Sequence, residues 1–159
     1  MNKLPIGILV SGRGSNMPAI LQAIEAGVLS AQALVVISDQ PGAPALEIAR
    51  QKGVEVLVIE RKSFPDKNSF ENEIIGELIN REVELVILAG FMRVLGSSAI
   101  KAFPDRIINV HPSLLPAFPG LHAQKQPLDY GVKVAGCTAP FVNELLDGGR
   151  LIFQACVPV

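Results

Sequence analysis

Cysteine is scarce in this chain, charge of one sign is not in excess, and no apolar run is long. The two cysteines among 159 residues, Cys137 and Cys156, sit in apolar, strand-like stretches. A buried free thiol is the plainer reading there than a disulfide or a metal pair. Fourteen basic residues against fifteen acidic ones leave a net charge of −1, so no global field recruits nucleic acid or anionic lipid. Any anion must be caught locally. The first apolar run, PIGILV, is too short for a signal peptide and leads straight into SGRGSN, while LVILAGFM is stopped by Arg93. These features predict a cytoplasmic protein with neither a membrane nor a nucleic-acid partner. There is also no internal repeat, low-complexity tract or linker. One domain is expected over residues 1–159, long enough to bury roughly 68–70% of the surface its unfolded form exposes.

What is present is an alternation. PIGILV precedes MPAILQAIEAG, ALVVIS precedes APALEIARQKG, VEVLVIE precedes FENEIIGELINREV, and ELVILAG precedes a short SSAIKAF and then RIINV. Continuous Val/Ile/Leu strands separated by helix-period segments predict a doubly wound, mainly parallel sheet with helices on both faces. Beyond His111 the texture changes. VKVAGCTAPFV and RLIFQACVPV read as longer strands separated by NELLDGG, and they predict an antiparallel pair at the C-terminal edge of the sheet. An apolar strand as the last element suggests that a covering segment is missing, so association through that strand, or a homodimer, is expected.

Four stretches carry chemistry. In NVHPSLLPAFPG, one of only two histidines directly precedes a proline. A residue before proline is driven to extended backbone, so His111 reads as the last residue of the RIINV strand. Residues two apart on a strand face the same way, so Asn109 and His111 should project together, as a pair suited to polarising a carbonyl oxygen. SGRGSN opens the first helix. Its glycines allow close approach and the helix N-terminus offers free amides to an anion, with Ser15, Asn16 or Met17 at the capping position and Pro18 in the first turn. The third glycine of a dinucleotide fingerprint is replaced by Met17 and no Gly-Lys-Ser/Thr follows, which favours a phosphate over a dinucleotide. A tight strand-to-helix turn would look the same. Asp39 stands where a nicotinamide enzyme places its ribose-binding acid, but the following QPG makes a plain turn residue the better reading. Arg93 in the apolar GFMRVL wants a carboxylate or phosphate partner. Asp147 is a turn carboxylate unless it folds back onto His111, where it would favour the protonated, donating imidazole. His122 reads as a packed or surface histidine, and Lys67 as a solvated charge at a helix start.

Taken in order, SGRGSN, LAGFMRVL, INVHPSLLPAFPGLHA and GCT-x-x-FV-x-E-x-x-D-G-G resemble the phosphoribosylglycinamide formyltransferase family over nearly the whole chain. They resemble it more than methionyl-tRNA formyltransferase or formyltetrahydrofolate deformylase. The resemblance implies a Rossmann-like formyltransferase domain that moves the formyl group of 10-formyltetrahydrofolate to the amine of glycinamide ribonucleotide in purine biosynthesis, with the folate as cosubstrate and no metal. It implies that Asn109, His111 and Asp147 are the catalytic trio and that Gly14, Ser15 and Asn16 hold the substrate phosphate. Met92, Arg93, Val94 and Leu95 would line the folate pocket with Asn109, Asn143, Glu144, Leu145, Leu146 and Asp147, and Lys67 and Arg93 would lie near the glutamate tail. The family also points to a cis bond before Pro116.

The chain departs from the family pattern in several places. Lys67 replaces a frequent arginine, which weakens a forked contact. Ala139-Pro140 replaces Val-His, predicting an edge or bulged strand. Arg150 replaces the proline after Gly149 and changes the loop bearing Asp147. The family continues past the equivalent of Val159, so a C-terminally truncated domain is expected. Two other readings follow: a non-catalytic folate- or phosphate-binding fragment, and, weakest, a Rossmann-type oxidoreductase.

Overall fold

Each of the continuous apolar segments forms a strand in the computed structural model, which describes residues 2–159: β1 (Leu4–Val10), β2 (Ala31–Ser38), β3 (Glu55–Val58), β4 (Leu85–Leu88) and β5 (Ile107–Asn109). They make one five-stranded sheet in the order β3-β2-β1-β4-β5, with β1 parallel to both β2 and β4, and β2 parallel to β3. The helices between them are α1 (Met17–Glu25), α2 (Pro44–Gln51), α3 (Lys67–Asn80) and α4 (Ser97–Ala102). The chain runs outward from β1 through α1 and α2 to the edge strand β3, returns through α3 to β4 on the other side of β1, and continues outward through α4 to β5, with connections of this kind right-handed as a rule. The two pairs therefore cover opposite faces, and α1 packs on α2 while α3 packs on α4.

Side-chain parity along β1 shows why its sequence is apolar throughout. Ile6, Ile8 and Val10 belong to the core formed with Met17 and Leu21 of α1 and Leu46 and Ala49 of α2. Gly7 faces the other way, where a Cβ would lie 2.5 Å from Leu78 Cδ2 of α3. A strand buried on both faces has no polar position to alternate with.

The chain divides into two compact units, Met1–Ile107 and Ile108–Val159. In the second, β6 (Val134–Pro140) and β7 (Leu151–Pro158) pair antiparallel as a separate two-stranded sheet. The antiparallel pair is as expected, but it forms its own sheet instead of an edge of the first. Isolated antiparallel bridges join Ile108, within β5, to Phe141, and His111, just after β5, to Thr138. A register shift falls between Ala139 and Pro140, where the proline has no N–H to give to the ladder. Every residue of β7 is exposed. Two short elements lack a clear sequence signal: a 3₁₀ turn at Arg61–Ser63 and a helix α5 (Lys125–Tyr130).

Candidate functional site

In the first unit, the sheet order reverses between β1 and β4, a switch point at whose carboxyl ends open α/β sheets bind ligands. SGRGSN is the loop after β1. Gly14 has φ +57°, and a Cβ there would lie 2.9 Å from Ala45 Cβ, so the turn needs glycine. Met17 N–H donates to the Gly14 carbonyl at 2.8 Å, and Asn16 occupies the capping position without a side-chain cap bond. The amides of Gly12 to Asn16 donate to no acceptor among the described residues. Free amides at the start of a helix with no acid in its first turn are suited to an anion.

The loop after β4 is tied to this one. Ser11 N–H donates to the Gly90 carbonyl at 3.1 Å, and Met92 N–H donates to Ser11 Oγ at 2.9 Å. Phe91 and Leu95 turn into the core while Met92 and Val94 stand exposed. Arg93 finds the carboxylate its setting requires in Asp39, with Nε donating to Oδ2 at 2.6 Å, and its guanidinium lies 5.6 Å from the Phe70 ring centroid. Asp39 is thus not the plain turn residue its QPG context suggests. It is buried, and its Oδ1 has no partner among the described residues. Lys67 begins α3 as an exposed side chain, 3.5 Å from the buried Glu71 carboxylate.

In the second unit, β5 ends at Asn109, and His111 follows as an isolated bridge residue exchanging both backbone hydrogen bonds with Thr138, at 2.9 and 2.8 Å. His111 is therefore just past the strand instead of its last residue. Its imidazole is enclosed. Nδ1 lies 3.5 Å from Asp147 Oδ1, an ion-pair separation, and the two side chains are only 6% and 7% exposed. Nε2 lies 3.0 Å from the Phe118 carbonyl. A carbonyl only accepts, so Nε2 is the donor in this contact, and Nδ1 faces the Asp147 carboxylate. Asp147 Oδ2 accepts from Gly120 N–H at 2.8 Å, which anchors the carboxylate from its far side. No hydrogen bond among the described residues engages the Asn109 amide.

The loop between β6 and β7 carries the remaining candidates. Asn143 Oδ1 accepts from Leu145 N–H at 2.9 Å and its Nδ2 donates to the Gly148 carbonyl at 3.2 Å, closing a turn that leaves Glu144, Leu145 and Leu146 exposed. Asp147 has φ +51°. Arg150 stacks over Phe141 at 5.0 Å, and Gly149 packs so closely that a Cβ would meet the Phe141 carbonyl oxygen at 1.6 Å. His122 is exposed. The Leu115–Pro116 peptide is cis.

Several residues without a chemical motif hold the segment after His111. Thr138 Oγ1 accepts from Leu115 N–H at 3.0 Å and donates to the Ser113 carbonyl at 2.7 Å. Gln154 Nε2 donates to the Leu115 carbonyl at 2.9 Å. Ser113 Oγ reaches the carbonyls of Ala117 and Phe118, at 2.7 and 3.0 Å. Among the described residues no three His, Cys, Asp or Glu side chains cluster as metal ligands, and no helix is long and apolar enough to cross a membrane.

Residues 5–159 match the formyl transferase family model. The phosphoribosylglycinamide formyltransferase of Bacillus subtilis is 41% identical over 96% of this chain and 78% of its own length. The trifunctional purine biosynthetic protein adenosine-3 of Drosophila melanogaster is 43% identical over 97% of this chain, which spans only 12% of that protein. In structure, glycinamide ribonucleotide transformylase 1 from Symbiobacterium toebii superposes with a TM-score of 0.97 at 47% identity, over 99% of this chain and 74% of the other. The chain belongs to the formyl transferase family, among its phosphoribosylglycinamide formyltransferases.

Proposed function

We propose that this chain transfers the formyl group of 10-formyltetrahydrofolate to the amino group of glycinamide ribonucleotide. The observation that carries the reading is the enclosed His111–Asp147 pair, with both ring nitrogens facing acceptors. The amine attacks the formyl carbon, a C–N bond forms, and the carbonyl oxygen becomes an oxyanion. Asn109, whose amide has no hydrogen bond among the described residues, and the protonated His111 donate to that oxygen more strongly than to the neutral carbonyl. The Nε2 proton then exchanges the Phe118 carbonyl for a charged and better acceptor. Asp147 keeps His111 protonated and, directly or through water, passes the proton lost by the attacking nitrogen to N10 as the bond to the folate breaks.

The remaining roles follow from local chemistry and resemblance. Gly14, Ser15 and Asn16 receive the ribonucleotide phosphate on free amides. The resemblance assigns folate contacts to Met92, Arg93, Val94 and Leu95 in the first unit and, separately, to Asn109 and Asn143 to Asp147 in the second. Lys67 and Arg93 meet the folate's anionic tail, although each already has a buried carboxylate partner. Two free thiols are compatible with a reducing cytoplasm, the compartment this reading assigns.

The reading is tested by incubating the chain with 10-formyltetrahydrofolate and separating products by mass. Formylated glycinamide ribonucleotide, formed only when the ribonucleotide amine is present, supports it. Release of formate at the same rate without the ribonucleotide means that water is the acceptor and the chain is a deformylase.

A further inference from the structure

Two buried carboxylates that take no part in the proposed chemistry bracket the loop after β4. Asp39, at the end of β2, accepts from Arg93 Nε at 2.6 Å. Glu71, on α3, accepts from Gly96 N–H with both oxygens, at 2.9 and 3.0 Å. Each side chain is 2% exposed. A carboxylate so buried is costly unless charge-paired or hydrogen-bonded, so each contact ties the loop strongly to the framework. Gly96 makes the approach possible, since a Cβ there would lie 2.8 Å from Glu71 Oε2.

Between these anchors the loop holds an apolar surface outward. Phe91 and Leu95 are buried, whereas Met92 and Val94 are 68% and 54% exposed. Apolar side chains displayed on a backbone fixed at two points form a preorganised surface, which loses little freedom when a ligand covers it. We propose that Asp39 and Glu71 are positioning residues for folate binding, acting through Arg93 and Gly96 to hold Met92 to Leu95 in the receiving arrangement. The inference rests on the assignment of those four residues to the folate.

The test uses the full chain with Glu71→Ala, Glu71→Gln and Asp39→Asn, read by amide hydrogen exchange without ligand and by calorimetric titration with tetrahydrofolate and with ribose 5-phosphate. In Glu71→Ala, exchange at residues 92–96 rises about tenfold or more while β1 and β2 amides stay unchanged, as loss of a charge-assisted hydrogen bond implies. The Kd for tetrahydrofolate rises about tenfold and that for ribose 5-phosphate does not. Glu71→Gln, which keeps one acceptor for Gly96 N–H, recovers most of the affinity. Asp39→Asn shifts both readouts in the same direction and carries the test if Glu71→Ala does not fold. Unchanged exchange at 92–96, or equal weakening of both ligands, overturns the proposal. A wild-type chain that does not bind tetrahydrofolate sinks the folate reading itself, while the exchange measurement separately decides whether the loop is clamped.

Discussion

At the residue scale, the proposed chemistry rests on how His111 is held. Its ring is fixed by Asp147 at Nδ1 and the Phe118 carbonyl at Nε2, and Asp147 is fixed in turn by Gly120 N–H. Removing either side chain should act on the transition state more than on binding. His111→Ala and Asp147→Asn are expected to lower formyl transfer by about 10²–10⁴-fold, the usual contribution of a positioned acid or base. Tetrahydrofolate affinity, measured by titration, should fall far less than turnover does, because the groups lost act mainly in the transition state. Loss of folate binding with turnover retained would reverse the assigned roles. Gly14 tests the anion loop differently. Gly14→Ala puts a Cβ 2.9 Å from Ala45 Cβ at a positive φ, and should destabilise the chain by about 1–3 kcal/mol in urea unfolding. An unchanged midpoint would mean the turn relaxes freely.

At this scale the candidates Asn109 and His111 stood out in the sequence because Asn-x-His-Pro is a local signal. The approach of Asp147 to His111, and the contacts around the two, did not. Thr138, Gln154, the Phe118 carbonyl and the Gly120 amide act through contacts set by tertiary folding, and no local pattern marks a carbonyl as an imidazole partner. Asp39 shows the same limit from the other side: its turn-like neighbours are real, but its partner Arg93 lies 54 positions away.

At the element scale, capping and pairing decide the boundaries. Asp66 caps α3 by accepting from Ser69 N–H at 2.7 Å. That backbone bond, ahead of every other cause, holds its carboxyl below the ordinary value of 3.8. Glu55 is likewise held below its ordinary 4.5, first by its hydrogen bond from Arg81. A folded-state pKa below the unfolded one stabilises the fold above the unfolded value, and that contribution is lost as pH falls through the folded value. The Tm advantage of wild type over Asp66→Ala should therefore be full at neutral pH and shrink below about pH 4. A gap that stays constant down to about pH 2.5 would show that the carboxylate charge is irrelevant to the cap.

The strands of the parallel sheet could be read from continuous Val/Ile/Leu runs, since burial on both faces leaves no polar alternation. The placement of β6 and β7 could not. Apolar texture identifies strands but not the sheet they join, and here Pro140 interrupts the ladder at a register shift. Helix α5 was hidden by its six-residue length and by Pro127 within it.

At the scale of the whole molecule, the strand order puts the loops after β1 and β4 at a switch point, so the first unit presents the SGRGSN loop and the loop bearing Met92 to Leu95 at the carboxyl ends of neighbouring strands. The second unit carries the buried imidazole–carboxylate pair. The alternation of runs already implied a doubly wound sheet, but the order of the strands depends on crossover directions that sequence pattern does not encode. The central claim is that the chain moves a formyl group from folate to an amine, using His111 in its Asp147-supported form. Its most direct test is a single-turnover experiment with 10-formyltetrahydrofolate labelled in the formyl carbon, excess chain and glycinamide ribonucleotide, run beside His111→Ala. The account predicts label on the ribonucleotide nitrogen in wild type, at a rate at least about a hundredfold above that of His111→Ala. Equal rates in the two proteins, or label recovered only as formate, would contradict it.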